Sequence, residues 1–468
     1  MVSLSMLTSC VGADQPAAGA GKAKPKFITV EVKAKPADAA WKTYDTRTID
    51  LLDGFKPKSI KLDEFGGRKD QKFAAKGFFY PLKIKDRWWL IDPQGHPFVH
   101  VAVVGVYTGI TDLDRKTSME IFGTVEKWAD FSTKLLSDYD FNGTGGWSET
   151  EPLRKSHKPL VYTRSWDFMS DFATSKGLAW QVSGHKGFPD EIWPLFHPEF
   201  PAYCEEYAKK LAATKDDPYC LGHFSDNELQ TRPDMLDRTL KLDLAKYPEM
   251  KYNVEEAKRW LAARKGKPAG LEDCTDQDRD DYIGYVFDTY YGLTTAAIRK
   301  QDPNHLCLGS RFNGAALKSK AAWRAAGRHL DVISANYYRA WTPDQAQLKM
   351  WNTESGGKSF MITEWYAKGM DSGLGNNTGA GWVVKTQADR GSFYQNFILG
   401  LMESKNCVGW HWFKYVDNNP DAAAPDPSNA DSNKGIVNYK YQPYLPVLEQ
   451  MKKFKKNTYQ LLDYFDAR

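Results

Sequence analysis

The sequence predicts an α/β fold built on eight parallel strands, and three observations carry that prediction. Short apolar runs of strand length recur along the chain with amphipathic helical stretches between them, the order of repeated strand and helix units. These runs are apolar on both faces instead of alternating, which marks strands covered on both sides by helices. Two of them, LGHFSDNE and SFMITEW, stop abruptly at a carboxyl, Glu228 and Glu364, as strands do when their last residues open into the mouth of a barrel.

Residues 1–25 read as a signal-like segment followed by a disordered Ala/Gly/Lys/Pro linker. The stretch MVSLSMLTSC ends in LTSC, which resembles the end of a bacterial lipoprotein signal with Cys10 as the residue cleaved at and lipidated. The expectation is therefore export, to the periplasm, the outer membrane or the medium, with Cys10 as a candidate lipid anchor. No other run approaches the roughly 20 apolar residues of a membrane span. Residues 26–96 form a β-rich extension: KFITVEVKAKP alternates as a strand, and LKIK and RWWLID flank Lys85 and Asp86 as a hairpin, with DPQG as the next turn. Such pieces are expected as a small β layer before or beneath a barrel.

Residues 97–468 supply the barrel. Strand one is placed at 97–106, with an amphipathic helix near 121–138; strand two is DFNGTGGW, ending near Trp147, and strand three LVYTRSWDF, 160–168. The helix in HPEFPAYCEEYAKKLAA leads to strand four, 219–227. A charged insertion, 231–275, and a long helix, 276–300, precede strand five, HLCLGSRF. DVISANYY, SFMITEW and CVGWHWFKYVD complete the count at eight. The predicted fold is a (β/α)8 TIM barrel with a small N-terminal β-rich extension.

Composition narrows the function. The net charge is +4 on 63 basic and 59 acidic residues, with no basic run or RNA-binding motif, so nucleic acid is not an expected partner. Aromatic residues make up 14% of the chain, 16 of them Trp, which suits a cleft that stacks rings on sugar faces as well as an aromatic core. The six cysteines contain no CxxC pair, so neither a zinc site nor a disulfide framework is indicated; Cys204 and Cys220 either bridge or remain buried thiols. No cofactor and no metal are expected. The loop DNNPDAAAPDPSNADSN lacks the spacing of an EF-hand and reads as solvated.

Asn227-Glu228 at the end of strand four and Glu364 at the end of strand seven resemble the clan GH-A retaining glycoside hydrolases. Within that clan, WWLIDPQGHPF, DPYCLGHFSDNE and VGWHWFKYVDN are most similar to the β-agarase group, glycoside hydrolase family fifty. The resemblance runs from about residue 80 to the end. It implies a retaining glycosidase acting on a marine algal galactan of the agarose type, its partner an oligosaccharide or polysaccharide. Another clan activity, on a β-galactoside, mannan or glucan, and a non-catalytic carbohydrate-binding barrel are the competing readings.

Retaining hydrolysis needs two carboxyls about 5–5.5 Å apart, one protonated to assist the leaving oxygen and one ionised to attack the anomeric carbon. The resemblance implies Glu228 as acid and later base, Glu364 as nucleophile, Asn227 on the sugar 2-hydroxyl, and Tyr338, with Tyr337 as its adjacent rival, donating to Glu364. Trp410 and Trp412 lie two apart on strand eight and point the same way. Trp412 is the candidate floor of the site, with core packing the alternative. Trp147 and Trp365 follow strands two and seven as cleft walls or core residues. Arg311, and Arg164 beside it in kind, either bind substrate hydroxyls or sulfate or pair with barrel carboxylates. His223, deeper in strand four, reads as a satisfied buried histidine.

Overall fold

A computed structural model describes residues 26–468 apart from Ala39 and residues 423–425. The signal-like segment, its Cys10 and the linker lie outside the described residues, as does the centre of the loop after strand eight. Eight strands form one parallel sheet: β1 (His100–Val104), β2 (Gly143–Thr144), β3 (Val161–Ser165), β4 (Cys220–Phe224), β5 (Leu306–Gly309), β6 (Ile333–Asn336), β7 (Phe360–Glu364) and β8 (Cys407–Phe413). Their spatial order is β5-β4-β3-β2-β1-β8-β7-β6, each strand beside its sequence neighbour, with β8 returning to β1. Between β5 and β6 the ring is joined by a parallel bridge from Phe312 to Ala335. The architecture is a TIM-like α/β barrel.

Helices fill the connections. α1 (Asp112–Phe122) and α2 (Val125–Asp138) follow β1, and α3 (Thr150–Arg154) follows β2. α4 (Phe168–Ser175) and α5 (Phe200–Ala208) follow β3; α6 (Met235–Leu240), α7 (Lys251–Lys265) and α8 (Asp276–Gln301) follow β4. α9 (Lys320–His329), α10 (Gln345–Glu354) and α11 (Gln387–Glu403) follow β5, β6 and β7, and α12 (Leu445–Lys455) and α13 (Thr458–Asp466) close the chain. The helix expected near 121–138 is α2, starting at Val125, and a separate helix, α1, precedes it. Gly123 ends α1 at a left-sided φ of 77°, and the Thr124 hydroxyl accepts from Lys127 N–H to start α2. The starts of α1, α8 and α11 carry reciprocal caps, Thr111 with Asp114, Thr275 with Asp278 and Thr386 with Asp389, which satisfy N–H groups that a helix start leaves open.

The chain before the barrel divides between its two ends. Strand Ile28–Lys33 pairs antiparallel with Lys42–Thr46 and with Trp382–Val384, in a sheet that continues to Ala367–Gly369 after β7. This sheet therefore stands at the mouth. The hairpin Tyr80–Ile84 and Arg87–Ile91, turning through Lys85 and Asp86, pairs with Pro97–Phe98. Its Leu90, with Phe65, Phe79 and Phe98, packs on Val161, Leu221, Leu308 and Met361 and closes the base of the barrel. Arg68 forks onto Asp70 and Asp463 and ties this base layer to α13. Cys204 and Cys220 are free and buried.

Candidate active site

β4 stops at Phe224, three residues short of the predicted Asn227, because the next residues leave the ladder for other partners. Asp226 is buried and accepts from the N–H groups of Met169 (2.8 Å) and Ser170 (3.1 Å) at the start of α4 and from the Tyr290 hydroxyl (2.5 Å). Ser225 N–H donates to Gly309 O (2.8 Å) and Glu228 N–H to Ser310 O (3.0 Å), so the segment stays laced to the end of β5. Glu228 itself has φ 48°, a left-handed conformation that costs a non-glycine residue on the order of 1 kcal/mol and that the surrounding bonds impose.

Glu228 Oε1 accepts from Asn336 Nδ2 at 2.7 Å, and Asn336 Oδ1 in turn accepts from Thr363 Oγ1 at 2.7 Å. Asn336 Nδ2 also reaches Asn227 Oδ1 at 3.3 Å, so the last residue of β6 holds both members of the Asn-Glu pair. Burial, and after it the charge of Glu364, push the Glu228 carboxyl up to about 7, against the hydrogen bonds of Asn336 and Asn313.

Glu364 is the last residue of β7. Arg311 Nη2 donates to its Oε1 and the Tyr338 hydroxyl to its Oε2. Both oxygens are thus acceptors, one of them toward a permanently charged guanidinium. Arg311 follows β5 at φ 56°, is fully buried, and donates also to Thr363 O at 3.0 Å. Its guanidinium lies 5.2 Å from the Phe224 ring and 5.7 Å from the Trp147 ring.

Both carboxyls open into one cleft of about 1540 Å³, with Trp147, Asp167, His185, Tyr338, Tyr366 and Lys434 around them. Asn227 also lines it, and its Nδ2 donates to Gly184 O at 3.3 Å. Trp147 is 37% exposed, so it stands where a cleft wall was expected. Of the two adjacent tyrosines, Tyr338 reaches Glu364, whereas Tyr337 donates to Gln347 at 3.3 Å.

Three expected substrate contacts are corrected. Trp365 is 1% exposed and stacks on Phe397 of α11 at 4.3 Å between centroids, so it is core and not a wall. Trp412 is fully buried, packs edge-on against Trp365 and donates to Lys434 O at 3.0 Å, so it is not the floor of the site. Trp410 and Trp412 do share a face, but it is the one turned to Tyr394 of α11. His411, between them, meets His100 of β1 at 2.9 Å, and Phe413 reaches the cleft. Arg311 is a partner of Glu364 beneath the cleft, without surface to offer a sugar. His223 is a buried histidine, its Nε2 at 2.8 Å from Asp302 and its Nδ1 accepting from Trp166. Arg164 stacks over Trp166 at 4.8 Å.

Sequence reasoning missed Asn336, His185, Asp167 and Lys434. Asn336 carries the same signal that exposes Glu228 and Glu364, a polar residue at the end of an apolar strand. Lys434 Nζ donates to Asn429 Oδ1 at 2.9 Å and lies over the Tyr366 and Phe413 rings; burial, then Lys414 and Lys368, push it well below the usual lysine range. No local pattern marks it, since its neighbours come from distant loops.

The described fold and site define a TIM-like barrel protein with two unlike buried carboxyls at the mouth of a large cleft. No protein-family model matches the chain. Beta-agarase B of Vibrio sp. (strain JT0107) is 24% identical over 495 residues, which cover 85% of this chain and 50% of that protein. Beta-agarase A of the same strain is 24% identical over 382 residues, 71% of this chain and 36% of that protein. The chain thus spans about half the length, or less, of the curated relatives it matches. Among solved structures, BpGH50 is 30% identical, with a TM-score of 0.80 over 94% of this chain and 96% of that one. The agarase AgWH50C shares the fold at 19% identity and a TM-score of 0.66, over 86% of this chain and 67% of its own. With that 30% identity along nearly the whole of both chains, the chain belongs to glycoside hydrolase family 50.

Proposed function

We propose that the protein is a retaining glycoside hydrolase that cleaves β-glycosidic bonds of an agarose-type galactan by double displacement. The observation that carries this reading is the unequal treatment of two carboxyls in one cleft. Glu228 is raised to about 7 by burial and receives a neutral amide donor, whereas Glu364 receives a guanidinium and a phenol. A pair whose surroundings differ in this way divides into acid and nucleophile.

Glu364 attacks the anomeric carbon while Glu228 gives its proton to the glycosidic oxygen, so the bond to the leaving sugar breaks as the glycosyl ester forms. Formation of the ester removes the negative charge of Glu364. Glu228, now ionised, takes a proton from a water that attacks the same carbon and releases Glu364, returning the anomeric carbon to its starting configuration. Asn227, held by Asn336 beside the acid, bonds the sugar 2-hydroxyl. Arg311 and Tyr338 keep Glu364 in line and donate to it again as the carboxylate leaves.

The agarose-type substrate is supported by the two beta-agarases the chain resembles and by the aromatic lining of the cleft. A screen of agarose, porphyran, carrageenans, mannan and β-glucans with sizing of products tests it. Cleavage of agarose is the expected result. Cleavage confined to mannan or glucan would replace the substrate while leaving the two-carboxyl chemistry standing, and a folded protein inert on all of them would overturn both. Export belongs to the same reading, since a polymer is met outside the cell; cell fractionation with Cys10→Ala tests whether Cys10 anchors the protein.

A further inference from the structure

We propose that His185 is a substrate-contacting residue whose ring hydrogen-bonds a hydroxyl of the sugar unit on the leaving-group side of the scissile bond. This rests on the reading of Glu228 as the acid. His185 lines the cleft at the tip of a small hairpin between β3 and α5, in which Trp180 and Gln181 pair with Gly187 and Lys186. Its Nδ1 stands 3.9 Å from Glu228 Oε2. Oε1 is engaged by Asn336, and Oε2 is the oxygen that faces His185.

A separation of 3.9 Å is too long for a direct hydrogen bond and suits two polar atoms that share a hydroxyl between them. The order of strands places His185 beside the acid and away from Glu364. On the closed ring the loop after β3 stands next to Glu228 beyond β4 and opposite Glu364 on β7, so His185 lies on the acid's flank of the cleft. The sugar found there is the one that departs.

The hairpin is built to hold this position. Gly184 N–H donates to Asp426 Oδ1 (2.9 Å) from the loop after β8, Asn227 Nδ2 donates to Gly184 O (3.3 Å), and Phe188 N–H donates to Gln230 Oε1 (3.0 Å). The hairpin is thus tied to the Asn227-Glu228 segment and to the loop after β8. Burial lowers the imidazole below its ordinary value, which Asp426 and Glu191 oppose and Arg232 reinforces. A neutral ring offers one donor and one acceptor, the pair a hydroxyl takes.

The test compares His185→Ala and His185→Asn on the oligosaccharide that the unmodified protein cleaves and on an aryl glycoside of the same glycone, which has no leaving sugar. The expected result is a loss of about tenfold or more in kcat/KM on the oligosaccharide, a loss several-fold smaller on the aryl glycoside, and partial recovery in the Asn variant. Equal losses on both substrates, or no loss on the oligosaccharide, would overturn the assignment. Glu228→Ala run alongside separates the two claims. If it fails to discriminate between the substrates, the acid reading itself falls; if it discriminates and the His185 variants do not, only this inference falls. Thermal melts of both His185 variants show that each is folded.

Discussion

The barrel holds a buried carboxyl pair at each end, and the two pairs behave differently. At the base, Asp63 Oδ1 accepts from the N–H groups of Phe65 (3.0 Å), Gly66 (2.9 Å) and Gly67 (2.8 Å), while its Oδ2 meets His96 Nδ1 at 2.6 Å. Asp92 beside it accepts from the N–H groups of Gln94 and His96, both at 2.9 Å, and burial, then Asp63, push it up to about 8. At the mouth, Glu228 is pushed up to about 7 by burial and then by Glu364. Asp92 and Glu228 are shifted alike, but the base pair is held by turn N–H groups and by His96 and does not line the cleft, whereas the mouth pair does. A raised carboxyl reports burial. What makes a site of the mouth pair is access to the cleft together with donors drawn from β5, β6 and the loops after them.

The largest expected effect is at Glu364, the proposed nucleophile. Glu364→Ala lowers kcat on the polymer on the order of 10⁴-fold or more, and azide, fitting the space left by the side chain, restores turnover with a glycosyl azide of inverted configuration as product. Unchanged hydrolysis would erase the distinction between the two ends of the barrel. Next comes Glu228→Ala, which costs about 10²- to 10⁴-fold on the polymer and far less on an aryl glycoside with a good leaving group, because only a poor leaving group needs the proton. Its pH profile sharpens the point. With Glu228 as the proposed acid, attack requires its protonated form, so kcat/KM of the unmodified protein is expected to fall as pH rises through about 7. That alkaline limb is absent when Glu228→Ala is assayed on the aryl substrate.

Much of this was legible in the residues. Eight apolar runs gave eight strands, and the carboxyls ending two of them line one cleft. The limits were physical. Strand β8 is buried on both faces, so period-two alternation shows that Trp410 and Trp412 share a side without telling which side is inner. The structure turns both toward α11 and leaves His411 and Phe413 on the inner side. Trp365 follows Glu364 in sequence yet turns into the helix layer, because Phe397 and Trp412 offer it a face. Arg311 carried two open readings, and its position after β5 at positive φ, which no pattern announces, decides for the pairing with Glu364. His185 and Lys434 reach the cleft from loops whose folding is tertiary throughout.

The smallest effect on activity belongs to the base. Asp92→Asn changes kcat by less than about twofold, since burial alone gives a carboxyl no role in the chemistry. It alters stability instead. The folded value of Asp92 lies above the ordinary 3.8, at about 8, so its contribution is full below pH 4 and is lost as pH rises through about 8. The melting temperature of the unmodified protein, relative to Asp92→Asn, therefore declines between about pH 4 and pH 8 and then levels. A loss of activity equal to that of Glu228→Ala would show that the two pairs are not distinct in kind.

Proton NMR of the first product formed, read before mutarotation, tests the central claim most directly. Carboxyls acting as acid and nucleophile stand about 5–5.5 Å apart, too close to admit a water between base and sugar, so the carbon is displaced twice. The initial product of a β-linked substrate is then the β-anomer. An initial α-anomer would mean a single displacement by water, and the assignment of Glu364 as nucleophile would be wrong.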